Sequence, residues 1–300
     1  MAELARRYWA ITVGSVRVSG MGALGGAASE SLDVAFEVTK SIQREPNTAS
    51  VKIWNLSPSH RRALEAADTL ALRVEAGYVG RSGILFDGDV RVAASRRRAA
   101  EHRQRQSRLG SLAVTGDVVD VITEIEAEDG GNSWRDARVN RSFGPGTPVS
   151  SVLAAAVDAM GIGRGNLAEL GADPTLSGVG TYTEGTVLSG QAHREVDRIV
   201  RGIGLRWSIQ NGNLQLQRGR APLAVEAVRL SPETGLIGSP APDADGYVEA
   251  VSLLNSGLYP GRPVVLESRD ISGSYSVRRV TYQGDTAGPD WYAETVLQER

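Results

Sequence analysis

Segments in which polar and apolar residues alternate recur along this chain, and they limit its fold more than any other feature. Alternation puts successive side chains on opposite faces of the backbone, so each segment predicts a β-strand with one buried face. Five such segments fall in the first hundred residues: Tyr8–Val18, Leu32–Val38, Ala49–Asn55, Leu70–Ala76 and Ile84–Val92. The chain also has 35 glycines to form turns, so this first part is predicted to be a small β-barrel or sandwich.

Two helices are predicted from proline-containing starts. The first begins at Ser57-Pro58, where the serine can accept a hydrogen bond as N-cap and the proline gives up no donor that the helix needs. We expect it to end near Asp68. The second follows the similar pair Thr147-Pro148, carries an apolar stripe along one side, and is closed by Gly161.

A third helix and a hairpin complete the middle of the chain. The helix is predicted over about Gly190–Arg201, with Ser189 as its cap. Behind it, two short strands flank Asn211-Gly212, a pair that suits the positive φ angles of a type I′ turn. The remaining predicted strands lie near the C-terminus: Tyr247–Leu254, Val264–Ser268, Ser274–Gln283 and Trp291–Leu297.

These elements predict a β-rich α+β fold in three parts. Residues 1–105 are expected to form an N-terminal β-barrel domain, and residues 106–225 a middle α/β region with two helices and a β-hairpin. Residues 226–300 form a C-terminal β segment. Helices take a much smaller share of this chain than the third or so that is usual in globular proteins.

Composition excludes several classes of protein. The formal net charge is −2, so the molecule as a whole is neither a basic nucleic-acid binder nor an acidic mimic. The absence of cysteine rules out disulfides, thiol catalysis and thiolate metal sites. No apolar run reaches the length of a signal peptide or a membrane span. We therefore expect a soluble protein that is intracellular when made and does not insert into membranes.

Neither a metal site nor a cofactor site is predicted. The histidines His60, His102 and His193 lie in unrelated contexts and are expected to face solvent. Gly161–Gly165 superficially resembles a nucleotide-binding loop, but it follows a predicted helix and so lacks the helix N-terminus that would hold phosphate. A helix C-cap followed by a loop explains these glycines.

No catalytic residues are predicted. No serine lies in a Gly-x-Ser-x-Gly frame. Glu124, Glu126 and Glu128 share one face of a predicted strand, and Asp129 follows them. Carboxylates in such a row could bind a cation or raise one another's pKa, but a row of this kind is more often a solvated sheet face.

Two segments are candidates for contacts with partners or with a lumen. The first lies in an arginine run, and its candidate residues are Arg96, Arg97, Arg98, Arg103 and Arg105. Several arginines together attract phosphate, so the run could line a passage for DNA or grip an acidic partner; as structure alone it is an exposed hairpin or loop. The second is the Pro- and Gly-rich loop Ser231–Pro240. Its apolar tip is Leu236 and Ile237. We expect this tip either to contact a neighbouring protein or to pack against its own domain.

One segment, Ala49–Pro58 (ASVKIWNLSP), resembles the opening of phage baseplate hub proteins. Further segments similar to that family follow in order along nearly the whole chain: Glu75–Tyr78, Ile84–Asp89, Ser142–Pro148, Leu188–Gly190, Leu205–Gly212, Thr234–Pro240, Leu253–Asn255, Leu258–Arg262, Tyr282–Thr286 and Asp290–Trp291. No single segment is as diagnostic as a catalytic signature, but their order along the chain is.

The resemblance implies a fold of two tail-tube-like β-barrels, the second completed by the C-terminal segment, with a helix-bearing middle region. It implies a structural role without catalysis or cofactor, in a ring that is expected to be a homotrimer and to join the tail tube to the central spike. The expected location is the baseplate of a virion tail, assembled in the host cytoplasm. Expected partners are the tail tube protein, the central spike protein, baseplate wedge proteins, and the tape-measure protein or DNA that passes through the lumen.

Two physical expectations follow for such a ring. Flat barrel edges should pair with neighbouring subunits, because this satisfies strand donors and acceptors that would otherwise promote aggregation. Any arginine in the lumen should be offset by acidic neighbours, because a wall that binds DNA tightly would slow its release.

Three other functions stay open. A tail-associated cell-wall hydrolase would need a pair of carboxylates, for which Glu124–Asp129 is the candidate stretch. The hub of a related phage-like injection particle would have the same fold and a different cargo. A host-receptor binder is disfavoured by an aromatic content of 5% and by the lack of a repetitive fibre region.

Overall fold

The computed structural model describes residues 6–23, 32–67, 69–99, 119–172, 176 and 179–299. The strands in these residues are β1 (Arg6–Val13), β2 (Val16–Ala23), β3 (Val34–Ser41), β4 (Thr48–Trp54), β5 (Ala71–Tyr78), β6 (Arg81–Ala99), β7 (Val119–Glu128), β8 (Arg138–Phe143), β9 (Thr186–Gln191), β10 (Arg206–Gln210), β11 (Asn213–Gln217), β12 (Val228–Leu230), β13 (Leu236–Pro242), β14 (Val248–Leu253), β15 (Pro263–Glu267), β16 (Ser272–Asp285) and β17 (Trp291–Glu299). The helices are α1 (Pro58–Glu65), α2 (Gly131–Asp136), α3 (Val149–Met160) and α4 (Ala192–Gly202). The predicted β-rich fold class is confirmed.

One large, mostly antiparallel sheet contains 13 of the strands, in the order β13-β14-β17-β16-β3-β4-β7-β6-β5-β1-β2, with β15 on β16 and β12 parallel to β15. The sheet joins strands from both ends of the chain, because β3 pairs with β16 over Ala35–Ser41 and Arg279–Asp285. Among the described residues no strand pairing between β2 and β13 closes the sheet.

The sheet curls so that strands far apart in its order pack against each other. The indole N–H of Trp291 on β17 donates to the carbonyl oxygen of Gly77 on β5 at 3.0 Å, in the buried core. The same indole meets the ring of Phe36 edge to face, with centroids 5.5 Å apart. Arg7 on β1 donates to the carbonyl oxygens of Gly288 and Pro289 in the β16–β17 turn at 2.8 and 2.9 Å. These contacts tie the N-terminal strand to the C-terminal hairpin.

A second unit is inserted between β7 and β12 and has its own hydrophobic core. Its helices α3 and α4 pack together over the β10–β11 hairpin, and β8 and β9 form a separate ribbon. Helix α4 is amphipathic, with Val196, Ile199 and Val200 buried and arginines on the exposed side. The apolar residues of this unit and those of the large sheet form two separate clusters.

The structure confirms several predicted local features. Ser57 accepts a hydrogen bond from the His60 backbone N–H at 3.2 Å, and Pro58 is the first residue of α1. Gly161 ends α3 with a φ of 70°. Asn211 and Gly212 have φ angles of 52° and 73°, as a type I′ turn requires.

Three local predictions are wrong. The segment Tyr8–Val18 is a hairpin rather than one strand, because Gly14 turns the chain with a φ of 56°. Ser189 lies inside β9, and Gln191 precedes α4 without a side-chain cap. Thr147 does not cap α3, since its hydroxyl donates instead to the carbonyl oxygen of Gly144 at 2.7 Å.

Other boundaries are shifted. Helix α1 ends at Glu65, before the predicted end at Asp68, and β6 continues through the start of the arginine run as far as Ala99. No helix in the described part of the chain is both long and apolar enough to cross a membrane.

Candidate assembly surfaces

The arginine run begins on the outer half of the β6–β7 hairpin. Arg96 and Arg97 are exposed on β6, where the strand is paired with β7. The other candidate residues lie outside what the structure describes, namely the side chain of Arg98 and the whole of Arg103 and Arg105. Contact of this run with a partner or a lumen stays a prediction.

The predicted apolar tip is divided between core and surface. Leu236 is buried in the core of the large sheet, whereas Ile237 is 45% exposed on β13. β13 is an edge strand, and it contains Pro240 and Pro242. Proline offers no backbone N–H, so this edge is poorly suited to the strand pairing with neighbours that we expected of flat edges.

The outer face of the sheet carries carboxylates in rows across the strands. One row runs through Tyr292, Gln283, Glu37, Ser50 and Glu126, from β17 to β7. Both glutamates in it are exposed. This face is therefore polar over five adjacent strands, with exposed glutamates on three of them, β17, β3 and β7, and with Lys52 of β4 on the same side.

The pKa of Tyr292 is sensitive to the carboxylates of this face. Burial raises the pKa of Tyr292, and the carboxylates of Asp290, Glu294 and Glu37 raise it further. The phenol donates a hydrogen bond to Oε1 of Gln283 at 2.7 Å. Carboxylates from two different strands therefore act on one phenol.

The predicted acidic strand is partly neutralised by basic neighbours. Glu128 accepts hydrogen bonds from Arg91 and Arg135, the latter at 2.7 Å, and Glu124 lies 4.0 Å from the ammonium group of Lys52. Glu126 between them is exposed. Within the described residues, no group of three or more histidines or carboxylates is arranged to hold a metal ion.

A buried polar cluster joins the large sheet to the inserted unit. The carboxylate of Asp129 is fully buried and accepts hydrogen bonds from the backbone N–H groups of Asn211 and Gly212 at 2.6 and 2.7 Å. The side-chain amide of Asn47 donates to the same carboxylate at 3.2 Å and to the carbonyl oxygen of Ile209 at 2.8 Å. The half-buried turn of the β10–β11 hairpin is therefore held against the large sheet.

Lys40 completes this junction. Its side chain is buried, and its ammonium group donates to Oδ1 of Asn211 at 2.7 Å. Burial lowers the pKa of Lys40 to about 8, against the opposing charge of Asp129. Burial also raises the pKa of Asp129, against its hydrogen bonds from Gly212, Asn47 and Asn211 and the charge of Lys40. Removing one partner from such a cluster leaves an uncompensated buried charge, so loss of either partner should destabilise the junction.

The glycine loop that follows α3 packs onto the same hairpin. Gly163 donates to the carbonyl oxygen of Gly212 at 2.7 Å and accepts from the N–H of Leu214 at 2.8 Å. Gly165 has a φ of 50° and lies so close to Leu214 that a Cβ would fall on the Leu214 carbonyl oxygen. The C-cap and loop interpretation of Gly161–Gly165 is confirmed, and close backbone packing explains the later glycines.

The histidines lie in different environments. His60 is exposed on α1, and His102 is outside the described residues. His193 on α4 is stacked on Trp134, with ring centroids 4.5 Å apart, and Trp134 is stacked on Trp207. Burial lowers the pKa of His193. The prediction that the histidines face solvent is wrong for His193, which packs within the inserted unit.

The sequence pattern contains only a weak signal for the junction. Asp129 follows Glu128 by one residue, so it breaks the two-residue spacing of the glutamates and falls on the buried side. Asn47 lies beside Pro46 and looks like an ordinary turn residue in the sequence. Asp129 lies 82 positions from Asn47, 82 from Asn211 and 83 from Gly212 in the chain. Only the tertiary structure brings these hydrogen-bonding groups together.

The fold is that of phage tail proteins. No protein-family model matches the sequence, and no curated protein matches it. The 43 kDa tail protein of prophage MuSo2 from Shewanella oneidensis is similar in structure, with a TM-score of 0.60, 10% identity and coverage of 98% of each chain.

Two further solved structures share the fold. A tail protein from Neisseria meningitidis MC58 has a TM-score of 0.59 at 8% identity, covering 98% of this chain and 96% of that one. The E. coli c3393 protein has a TM-score of 0.54 at 12% identity, covering 96% of this chain and 75% of that one. It is a component of the type VI secretion system with structural similarity to the T4 bacteriophage tail proteins gp27 and gp5.

Proposed function

We propose that this protein is a structural hub subunit in the baseplate of a phage-type tail, where a ring of three copies joins the tail tube to the central spike. The observation that carries the proposal is the likeness in fold to tail proteins over 98% of this chain and 96–98% of theirs. The likeness to a secretion component that is itself similar to the T4 tail proteins gp27 and gp5 supports a role in a tail-like assembly. The tail tube, the spike, wedge proteins and the tape-measure protein or DNA are the proposed partners.

The acidic outer face supports the assignment of a lumen wall. Glu37, Glu126 and Glu294 are exposed on it, among short polar side chains such as Thr39 and Ser50. Phosphate is repelled by such a surface, so DNA can pass without being held. In this proposal these glutamates are the acidic neighbours that offset any arginines in the lumen.

The division of the chain belongs to the same proposal. We place one tube-like barrel domain in residues 1–105, to whose sheet β7 returns, the α/β region in 106–225, with its inserted unit following β7, and the completion of a second barrel in 226–300. The pairing of β3 with β16 supports this, because strands of the C-terminal segment extend a sheet that the N-terminal part begins. Two barrels in each of three copies would match a sixfold tube.

The experiment that tests the proposal is a measurement of mass in solution by light scattering. The purified chain is measured alone, with a tail tube protein and with a central spike protein. A trimer, or a monomer that assembles as three copies on the spike, is expected. A stable monomer that binds neither partner would overturn the proposal.

Mutation of the acidic strand separates the hub from a wall-degrading hydrolase. Such an enzyme needs two carboxylates flanking a cleft, whereas Glu124 and Glu128 lie on a sheet face beside basic partners. Glu124→Ala and Glu128→Ala should therefore leave any wall lysis by intact tails unchanged. Loss of lysis at normal particle assembly would favour the hydrolase.

The hub of a phage-like injection particle remains the alternative within the same architecture. It is favoured by one specific observation, the likeness to a component of the type VI secretion system. The cargo distinguishes the two functions. Particles purified with this subunit should contain DNA if they are phage tails joined to heads, and protein effectors without DNA if they are injection devices.

A further inference from the structure

The amine of Lys40 and the side-chain amide of Asn211 meet inside the protein. Lys40 lies on β3 and is only 2% exposed. Its Nζ donates a hydrogen bond to Oδ1 of Asn211 at 2.7 Å, although the two residues are 171 positions apart in the chain. Because a C=O bond is about 1.23 Å long, the amide carbon Cγ of Asn211 lies within about 3.9 Å of Nζ. This is close to the separation of about 3–3.5 Å at which positioned groups react.

The turn that contains Asn211 fixes the position of this amide. Asp129 accepts hydrogen bonds from the backbone N–H groups of Asn211 and Gly212 at 2.6 and 2.7 Å. Two groups held side by side in this way have a high effective concentration toward each other. Asp129 is a positioning residue for the pair, since it acts through the backbone of the turn.

The buried amine of Lys40 is also easily made nucleophilic. Burial lowers the pKa of Lys40 from 10.5 to about 8, against the opposing charges of Asp129 on β7's end and Asp87 on β6. An amine attacks only in its neutral form, and near pH 8 about half of the molecules have a neutral Lys40. An exposed lysine is almost fully protonated at the same pH.

We propose that Lys40 and Asn211 form an isopeptide bond that ties the large sheet covalently to the inserted unit. The lone pair of Nζ attacks Cγ, and the π electrons of the C=O bond move to Oδ1. The intermediate then collapses, the bond between Cγ and Nδ2 breaks, Nδ2 takes the proton that Nζ loses, and ammonia leaves. Nothing is oxidised or reduced, and no further reactant is needed. Ammonia can escape because the turn is half-buried.

Such a bond would act as a disulfide does in other proteins. This chain has no cysteine, and a link across 171 positions restricts the unfolded chain strongly. The inserted unit then stays on the sheet even when the hydrogen bonds of the junction open. The hydrogen-bonded pair is the form before reaction, in which Lys40 still titrates. The bond is a property of the folded chain alone, so it does not depend on the proposed function.

Intact-mass spectrometry and digestion with endoproteinase Lys-C test the bond, because the chain has only two lysines, Lys40 and Lys52. The folded protein is incubated at about pH 9, above the pKa of Lys40, and is then unfolded and digested. The intact mass should fall by about 17 Da, the mass of ammonia. The bond also blocks cleavage after Lys40, so residues 1–52 should stay attached to residues 53–300. At about pH 6 the bond should form at least roughly tenfold more slowly.

Variants remove each reacting group in turn. Lys40→Arg lacks the nucleophile, and Asn211→Gly lacks the amide while glycine still suits the positive φ of 52° at this position. Neither variant should lose ammonia. Lys52→Arg, at an exposed position on β4, is the matched control and should lose about 17 Da as the wild type does. Circular dichroism checks the folding of each variant, and Lys40→Met takes the place of Lys40→Arg if the latter is unfolded.

Two results would overturn the isopeptide bond. Ring closure to a succinimide at Asn211-Gly212 releases ammonia without a lysine, so an equal mass loss in Lys40→Arg would assign the loss to that reaction. A wild-type protein that keeps its full mass and releases residues 53–300 as a free fragment would exclude the bond directly. Neither result bears on the hub proposal, which the measurement of mass in solution tests separately.

Discussion

Oδ1 of Asp129 accepts a hydrogen bond from the backbone N–H of Gly212 at 2.7 Å, and this contact links the two cores of the protein. Asp129 follows the central strand β7, and Gly212 lies in the turn of the inserted hairpin. Burying a carboxylate is costly unless its oxygens are hydrogen-bonded, and here backbone N–H groups and an amide supply the donors. The inserted unit therefore has a defined orientation on the sheet.

Replacement of Asp129 by asparagine should destabilise the protein by about 3 kcal/mol or more. The neutral amide turns an N–H₂ group toward backbone donors and leaves Lys40 without its countercharge. Urea unfolding measures the change. Glu126→Gln, at an exposed position on β7, is the control and should stay within about 0.5 kcal/mol of wild type. Equal stability of the two variants would show that the junction does not depend on this charge.

Stability at alkaline pH should depend on Lys40. The pKa of Lys40 is about 8 in the folded protein against an ordinary 10.5, so between these pH values the unfolded chain holds a proton that the folded protein has lost. The free energy of unfolding therefore rises with pH in this window, by up to about 1.4 kcal/mol per pH unit from this group. Unfolding curves at several pH values should show this contribution in wild type and not in Lys40→Met.

Lys52→Met is the matched control for that measurement. Lys52 is exposed on the neighbouring strand β4, so its replacement should leave the pH dependence of wild type intact. Parallel pH profiles for wild type and Lys40→Met would rule out Lys40 as the group responsible.

Gly165→Ala should destabilise the inserted unit by about 2 kcal/mol or more. The residue has a positive φ, and the added methyl group would overlap the Leu214 carbonyl oxygen, so strain and overpacking act together. Gly180→Ala is the comparison, because its Cβ would meet no atom within 4 Å; it should change stability by no more than about 0.5 kcal/mol. Thermal melting of both variants decides, and similar melting temperatures would contradict the packing argument.

Charge reversal on the acidic face should create affinity for DNA. The triple variant Glu37→Lys, Glu126→Lys and Glu294→Lys should bind a labelled duplex at least roughly tenfold more tightly than wild type in 50 mM salt, and this gain should fall steeply by about 200 mM. Fluorescence anisotropy measures both. The control reverses three exposed glutamates away from this face, Glu169, Glu184 and Glu226. Equal binding by the control would assign the effect to net charge.

Strand positions were predictable where one face of a segment is buried. Ala49–Asn55 and Trp291–Leu297 alternate regularly, and both are strands in the structure. The segment Tyr8–Val18 was wrongly predicted to be one strand, because polar and apolar residues alternate through both strands of the hairpin and through the turn between them. Only the conformation of Gly14 marks the turn. Helix starts were less predictable, since the hydroxyl of Thr147 has a competing acceptor in Gly144.

The sequence alone determined the β-rich class, the absence of thiol chemistry and the type I′ turn at Asn211-Gly212, because these depend on side-chain periodicity, composition and local φ preferences. Tertiary structure decided which strands pair, that Leu236 is buried while Ile237 is exposed, and that Asp129 meets Gly212. Those outcomes depend on contacts between residues far apart in the chain. Burial and register across the whole sheet select among many pairings that local patterns leave equally possible.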